Sequence, residues 1–369
     1  MAALTLCGVT AARDGGASQL IGLDLHVDDG DTVCLLGGSG TGTSTLLRVV
    51  AGLTTPASGR VLLDGVDVTS RPARDRRVGL VMRTNTLPSA QTARRSIQLP
   101  LVMRRRRGNH RQAVDVEADR LGIEALLDRP NPTLSGGQRV LVQSARALID
   151  SPTVLLLDEP FADLDPHRRG VLRQRLASRG ADITVLLATS DPTEAMAVSD
   201  RVVVLADGAV RQAGTVAELR DEPADTLVAE LLGEPSMLLV PAQVRHRAGE
   251  TVLRIGDVSV PAWKPELRTL DGLRLAVGVW PEDASSPPRP GDVVLRGVVT
   301  NVEPLGPSTL THVDLEAGGR VRLPVPGAAR RLGEAIEVGI DGSRLHVFEP
   351  IDGRAITHPP PRGHTSLRH

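Results

Sequence analysis

Over the first 230 or so residues, short apolar runs alternate with longer amphipathic stretches, and few folds accommodate this alternation. The runs lie at 32–36, 78–82, 154–157, 184–188 and 202–206. Because they are apolar on both faces, they are typical of buried parallel strands covered by helices. The alternation therefore predicts an α/β domain built on a parallel sheet. A polar, helix-like stretch between Arg104 and Leu127 interrupts it and predicts a helical subdomain.

Beyond residues 233–241 the pattern changes to short alternating runs separated by Gly and Pro. These runs lie at 251–255, 275–279, 293–299, 312–315, 321–323, 335–340 and 345–348. Strands of this length and spacing predict a small all-β barrel or sandwich. We therefore predict an α/β domain over 1–235, a β-rich domain over 236–355 and a disordered tail over 356–369.

Charge and hydropathy exclude several classes of partner. The 43 basic and 44 acidic residues give a formal charge of −1, so no global basic field attracts nucleic acid, and we predict no nucleic-acid partner. No stretch approaches the eighteen uninterrupted apolar residues of a membrane-spanning helix. Residues 1–10 lack the basic and apolar regions of a signal peptide. These features predict a cytoplasmic protein.

A glycine-rich segment follows the first apolar run and precedes a helical stretch. It reads Gly37-Gly38-Ser39-Gly40-Thr41-Gly42-Thr43-Ser44-Thr45. Glycines allow backbone N–H groups to converge on phosphate oxygens, and the helix start adds a partial positive charge. The segment predicts a phosphate-binding loop in which the Ser44 hydroxyl would bind Mg²⁺. On this segment alone, a merely structural turn is the alternative.

A second cluster further along the chain favours the phosphate-binding interpretation. The sequence Leu134-Ser135-Gly136-Gly137-Gln138 precedes a helical stretch, on which we expect Gln143 to be exposed. The apolar run at 154–157 then ends in Asp158 and Glu159. A buried strand that ends in two carboxylates predicts Asp158 as a Mg²⁺ ligand and Glu159 as the base that acts on the attacking water.

In this order and spacing, the first 230 or so residues resemble the nucleotide-binding domain of ABC transporters. The resemblance implies a P-loop NTPase fold that uses ATP and Mg²⁺. It also implies a dimer, homo- or heteromeric, in which two such domains sandwich ATP head to tail. Ser135, Gly136, Gly137 and Gln138 match the family's signature sequence, which completes the ATP site of the second domain.

The β-rich half indicates a particular group within this family. Residues 233–237 and 277–282 resemble the junction and barrel motifs of importer ATPases of the maltose and glycerol-phosphate type, although Trp280 stands where the family usually has arginine. Those proteins carry a C-terminal, oligonucleotide-fold-like TOBE domain. The resemblance implies the nucleotide-binding subunit of a carbohydrate-type importer, peripheral on the inner face of the cell membrane. Its partners would be two transmembrane permease subunits and, indirectly, a solute-binding protein.

The family's catalytic pattern is not matched at four positions. Thr43 replaces the phosphate-binding lysine, Arg83 the Q-loop glutamine, and Ser190 the switch histidine, while Arg13 stands near the aromatic residue that stacks on adenine. Loss of one charge-assisted hydrogen bond costs about 1.5–3 kcal/mol, or about one to two decades of affinity. We therefore predict weak ATP binding and low or absent ATPase activity.

Two explanations of these replacements remain open. Mutational bias is one, because Lys264 is the only lysine in a chain with four aromatic residues; it accounts for Thr43 better than for Ser190. The other is a heterodimer, since the altered positions serve this chain's own site and the intact signature serves the partner's. We also consider a catalytically dead regulatory or scaffold protein that takes no part in transport. As a further hypothesis, the Arg83 guanidinium replaces the missing lysine charge.

Overall fold

The computed structural model of the chain describes residues 2–12, 18–38, 40–84, 86–178, 183–247, 249–262, 264–305, 308–326 and 330–360. These residues divide into two compact units, and the division falls between Val216 and Ala217. In the part of the chain thus described, no helix is long and apolar enough to cross a membrane.

The first unit is an α/β structure, as the alternation predicts. Its strands are β1 (Leu4–Ala12), β2 (Ser18–Val27), β3 (Thr32–Leu36), β4 (Ser58–Leu63), β5 (Val66–Asp67), β6 (Val78–Val81), β7 (Val154–Asp158), β8 (Thr184–Thr189), β9 (Arg201–Ala206) and β10 (Ala209–Gly214). Its helices are α1 (Thr43–Ala51), α2 (Ala93–Met103), α3 (His110–Arg120), α4 (Gly136–Leu148), α5 (Pro166–Ala177) and α6 (Pro192–Val198). The five predicted buried runs correspond to β3 and β6–β9, which confirms them.

The large sheet brings the predicted motifs to one edge. Its strand order is β10-β9-β3-β8-β7-β6, and β3 and β6–β9 run parallel. In the register, Leu36 lies opposite Thr189, and Asp158 lies opposite Ala188. The carboxyl ends of β3, β7 and β8 therefore meet, which is where ligands bind in sheets of this kind.

A smaller antiparallel sheet, β2-β1-β4-β5, shares one apolar core with the large sheet. None of the five buried runs predicted from the sequence corresponds to these four strands. Gly8 and Gly22 both have φ near 58°, and the pairing of β1 with β2 shifts register between Leu6 and Val9. Bulges of this kind break the period-two alternation on which strand prediction depends.

The second unit is largely β-structure. Its strands are β11 (Leu238–Arg247), β12 (Glu250–Ile255), β13 (Val258–Pro261), β14 (Arg274–Val279), β15 (Ala284–Ser285), β16 (Val293–Leu305), β17 (Ser308–Leu315), β18 (Arg320–Pro326), β19 (Ala335–Ile340), β20 (His346–Phe348) and β21 (Ala355–Thr357). They form two antiparallel sheets, ordered β13-β12-β11-β14-β20-β21 and β15-β19-β16-β17-β18, around one apolar core. Six of the seven runs predicted in this half lie within strands and the seventh, 345–348, begins one residue before β20, which confirms its β-rich character.

Two short helices before the strands belong mainly to the second unit: α7 (Val216–Asp221) and α8 (Thr226–Leu231). The Thr226 amide donates to the Gly353 carbonyl at 2.9 Å. The buried Trp280 indole donates to the Arg220 carbonyl at 3.0 Å, and the Arg220 guanidinium lies 4.3 Å from the ring centre. Because of these contacts the structural division precedes the domain boundary that we predict at 235.

The chain stays ordered beyond 355, so the start of the predicted disordered tail is wrong. Strand β21 pairs with β20, and Thr357 is buried. His358 then packs against the rings of Phe348 and His346. A strand of three residues carries no periodic signal, and its neighbour β20 holds it in place. The predicted tail from 361 onwards lies outside the described residues.

The contact between His346 and His358 predicts an acid-sensitive second unit. Their Nδ1 atoms lie 3.0 Å apart, and one ring must donate while the other accepts. Burial lowers the pKa of His358, the Lys264 charge lowers it further, and Glu222 opposes this. The pKa of His358 in the folded chain therefore lies below the unfolded value of about 6.5. The neutral ring stabilises the fold above that pH, and this contribution is lost as the pH falls, because the unfolded chain binds the proton more readily. We expect the unfolding temperature of the unaltered chain to fall more steeply between about pH 7 and pH 5 than that of His358→Gln.

The measurement is thermal unfolding followed by circular dichroism across that pH range. His26→Gln is the matched control, because this exposed histidine lies in the first unit. Parallel pH profiles for the unaltered chain and His358→Gln would contradict the prediction.

Candidate functional site

The glycine-rich loop connects β3 to α1 in the strand–turn–helix arrangement that the sequence predicts. Gly40 and Gly42 have φ of 91° and 99°, which L side chains rarely adopt. A Cβ atom on Gly42 would also lie 2.6 Å from the Gln19 carbonyl oxygen. Gly42 is the N-cap of α1 and supplies no side-chain cap. The first N–H groups of α1 therefore remain available to an anion.

A cavity of about 240 Å³ lies at this loop and at the carboxyl end of β7. Its lining residues are Gln19, Gly40, Gly42, Thr43, Ser44, Thr45, Arg48, Met82, Arg83, Thr84 and Asp158. Five of the predicted loop residues thus share one cavity with the predicted Mg²⁺ ligand and with Arg83.

The other described residues of the predicted loop, Gly37, Gly38 and Thr41, are not part of the cavity lining. The Thr41 hydroxyl donates to the Gly38 carbonyl at 2.9 Å, which closes the turn. A Cβ atom on Gly37 would lie 2.6 Å from Thr41 Oγ1, so this position also has no room for a side chain. Ser39 and Arg13 lie outside the described residues.

The two predicted metal ligands are in direct contact. The Ser44 hydroxyl donates to Asp158 Oδ1 at 2.9 Å. Burial raises the pKa of Asp158; the Ser44 hydrogen bond lowers it, the Glu159 charge raises it, and the Arg48 and Arg83 charges lower it. A hydroxyl and a carboxylate suit Mg²⁺, which prefers oxygen ligands. Among the described residues, no group of three His, Cys, Asp or Glu side chains could hold a metal. Phosphate and water oxygens would have to complete the coordination.

The Glu159 carboxylate is held by the segment that follows β8. The Ser190 amide donates to Glu159 Oε1 at 2.9 Å, and the Thr189 hydroxyl donates to Oε2 at 3.2 Å. Glu159 itself has φ of 49°, a left-handed conformation that costs energy in a residue with a side chain. The structure therefore places the predicted base next to the predicted switch position, whose Ser190 side chain is exposed.

The signature residues start α4 and do not appear in the lining of this cavity. Ser135 and Gln138 form a reciprocal capping box, with bonds of 3.0 and 3.3 Å. A Cβ atom on Gly137 would lie 2.7 Å from the Asp163 carbonyl oxygen. The signature turn thus packs closely against the loop after β7, and its exposed Ser135 faces away from this chain's own core.

The segment that carries Arg83 contacts α4. The Thr86 hydroxyl donates to Gln143 Oε1 at 2.8 Å, and Arg146 donates to the Thr86 carbonyl at 3.0 Å. Gln143 is 1% exposed, so the expectation of an exposed side chain is wrong. Its partner lies 57 positions away, and no local pattern identifies that contact.

Sequence reasoning missed three polar residues of the cavity lining: Gln19, Arg48 and Thr84, of which Thr84 directly follows Arg83. Arg48 follows Ser44 by four positions on α1, so helical spacing places both on one face and could have identified it. Gln19 carries no such signal. Its Oε1 accepts the Thr45 hydroxyl at 2.5 Å, which leaves the amide N–H groups as donors.

Comparison with known proteins gives two family matches. The family described as ABC transporter matches residues 20–162, and the family described as TOBE domain matches residues 273–348. The ATP-binding cassette whose dimer was solved in a post-hydrolysis state with ADP and Pi superposes with a TM-score of 0.54 at 26% identity. That superposition covers 57% of this chain and 98% of the cassette.

Curated relatives match over nearly the full length. The sulfoquinovosyl glycerol transport ATP-binding protein SmoE of Agrobacterium fabrum is 35% identical over 92% of this chain and 96% of the relative. The sn-glycerol-3-phosphate import ATP-binding protein UgpC of Cereibacter sphaeroides is 34% identical over the same shares. The trehalose/maltose import ATP-binding protein MalK of Thermococcus litoralis is 32% identical over 94% and 96%.

Proposed function

Because this chain belongs to the family of ABC transporter ATP-binding proteins with a C-terminal TOBE domain, we propose that it is the nucleotide-binding subunit of a carbohydrate-type importer. It acts at the inner face of the cell membrane, couples ATP binding to solute uptake, and has a degenerate ATP site of its own. The names of the relatives, which include sugar and glycerol-phosphate importers, support the solute class.

One observation carries the proposal: a single cavity combines the glycine-rich loop, the Ser44–Asp158 pair and Arg83. Backbone N–H groups at the start of α1 would hold the phosphates, and Ser44 and Asp158 would hold Mg²⁺. When bound, Mg²⁺ neutralises phosphate charge and polarises the phosphoryl oxygens. The Glu159 carboxylate, oriented by Thr189 and the Ser190 amide, is positioned to accept a proton from water.

The replacements at Thr43 and Ser190 support weak binding and slow hydrolysis. A threonine hydroxyl carries no charge to the phosphates, and a serine side chain cannot act as an imidazole donor. Preorganised groups that stabilise transition-state charge contribute on the order of 10²–10³ each to the rate. Positioning of Glu159 alone does not compensate for these losses.

The intact signature supports a role in trans. Ser135, Gly136, Gly137 and Gln138 lie outside this chain's cavity lining, yet their capping box is complete. In a head-to-tail dimer this turn would complete the ATP site of a second nucleotide-binding domain. That domain is a competent partner in the heterodimer we propose, and two permease subunits with a solute-binding protein complete the importer.

An apolar groove on the first unit suits the permease. It has a volume of about 570 Å³, and its lining includes Leu53, Leu99 and Met103. Leu53 is 58% exposed and Met103 is 68% exposed. Exposed apolar surface of this kind marks interaction sites, and an amphipathic helix is a common occupant of such a groove. We propose that a cytoplasmic helix of the permease docks here.

We expect Leu53→Asp/Met103→Asp to abolish recovery of permease subunits with the affinity-tagged chain from membranes of its own organism. Each aspartate removes an apolar side chain from the contact surface and adds a charge whose water is lost on docking. Binding of ATP to the purified chain, measured by titration with and without Mg²⁺, should stay unchanged. Ile351→Asp is the control, since this side chain is 95% exposed in the second unit. Undiminished recovery with the groove variant would contradict the docking site.

A further inference from the structure

Two arginine side chains, Arg48 and Arg83, line the cavity whose loop lacks a lysine. Arg48 lies on α1, one turn beyond Ser44, and Arg83 follows β6. Within the described parts of the chain, neither guanidinium forms an ion pair or a side-chain hydrogen bond. Both are therefore free to bind a ligand in the cavity.

Structural arginines elsewhere in the first unit look different. The buried Arg76 donates to four main-chain carbonyl oxygens at 2.8–2.9 Å. The buried Arg175 forms two hydrogen bonds with Glu117, at 2.8 and 3.0 Å. A guanidinium has five N–H donors, and both of these side chains direct several of them at acceptors within the fold. The guanidinium N–H groups of Arg48 and Arg83, by contrast, have no hydrogen-bond acceptor among the described residues.

The charges of the lining favour an anion with several phosphates. Its ionisable side chains are two guanidiniums and one carboxylate, Asp158, which leaves one net positive charge. A guanidinium binds phosphate oxygens through two parallel N–H groups, whereas a lysine ammonium acts as a point charge. One half-buried arginine on α1 and one exposed arginine after β6 could hold successive phosphates from two walls.

We propose that Arg48 and Arg83 together form the phosphate clamp of this cavity. They replace the charge of the lysine whose position in the loop is occupied by Thr43. The inference rests on the proposed function and names the groups that make its nucleotide site work. The ligand is a nucleoside di- or triphosphate, held through its phosphates. The two arginines act as binding residues, and each contributes its own share of the affinity for the phosphates.

The test is calorimetric titration of the full chain with MgATP and, separately, with Mg²⁺ and tripolyphosphate, which has no base. We expect Arg48→Gln and Arg83→Gln each to lower affinity about 10-fold, and the double variant about 100-fold, for both ligands. Glutamine keeps much of the side-chain length, so the fold should persist. Arg111→Gln is the matched control, an exposed arginine on α3 outside the cavity lining.

A charge rescue separates binding from a merely structural role. Adding Thr43→Lys to the double variant should restore at least about 10-fold of the lost affinity, since the ammonium returns a charge to the loop. If the unaltered chain binds MgATP and the double variant binds it within twofold of that affinity, the clamp is refuted and the proposed function stands. If the unaltered chain binds neither ligand at millimolar concentration, the clamp fails together with the nucleotide-binding part of the proposed function, and only the role of the signature in trans is left.

Discussion

The Thr43→Lys/Arg83→Gln/Ser190→His variant is expected to hydrolyse ATP at least about 100-fold faster than the unaltered chain. The remaining machinery is already in place, because Ser44 contacts Asp158 and the Glu159 carboxylate is held by Thr189 and the Ser190 amide. Lysine would return a fixed charge at the phosphates, and an imidazole at 190 would lie beside Glu159. Phosphate release at saturating MgATP measures the difference.

Two controls sharpen this experiment. Glu159→Gln added to the triple variant should abolish the gain, because the variant then lacks its base. Gly137→Asp added instead should inactivate the variant's homodimer, since a side chain at position 137 of the signature turn would clash with the Asp163 carbonyl in the loop after β7. Mixing that silenced protein with the unaltered chain should restore turnover, because the unaltered chain lends its intact signature. Brisk hydrolysis by the unaltered chain alone would overturn the degenerate-site proposal.

Glu117→Leu is expected to lower the free energy of unfolding of the first unit by about 3–5 kcal/mol. Glu117 lies on α3 and accepts two hydrogen bonds from Arg175 on α5, and the two side chains are 6% and 8% exposed. Arg120 contacts the same carboxylate at 3.4 Å. Removing the carboxylate leaves a buried guanidinium without its partner, which costs far more than the pair itself contributes. Urea denaturation followed by circular dichroism gives the free energy.

The double replacement Glu117→Leu/Arg175→Met should recover most of that loss, because no buried charge remains and the apolar side chains fill the volume. The matched control is Arg211→Met, which breaks an exposed pair with Asp207 and should cost less than about 1 kcal/mol. Equal losses in Glu117→Leu and in the double variant would show that the cost lies in packing rather than in the unpaired charge.

The relation between sequence and site differs from residue to residue. The glycines at 40 and 42, with Ser44 and Asp158, were predicted because each belongs to a contiguous motif, and the structure brings all four to one cavity. Their roles in ATP binding remain predictions. Gln19, by contrast, enters the cavity from β2 and is oriented by Thr45, 26 positions away. A contact over such a distance leaves no trace in local periodicity.

The sequence alone determined the series of buried parallel strands, the turns that follow them and the β-rich half. A short apolar run bounded by glycine or by acidic residues has few other conformations available. Only the tertiary structure decided which side chains share the cavity, that Arg48 joins Arg83 there, and that Gln143 and His358 are packed rather than free. Those outcomes depend on surfaces brought together by folding, where burial and the pairing of polar groups are settled between residues far apart in the chain.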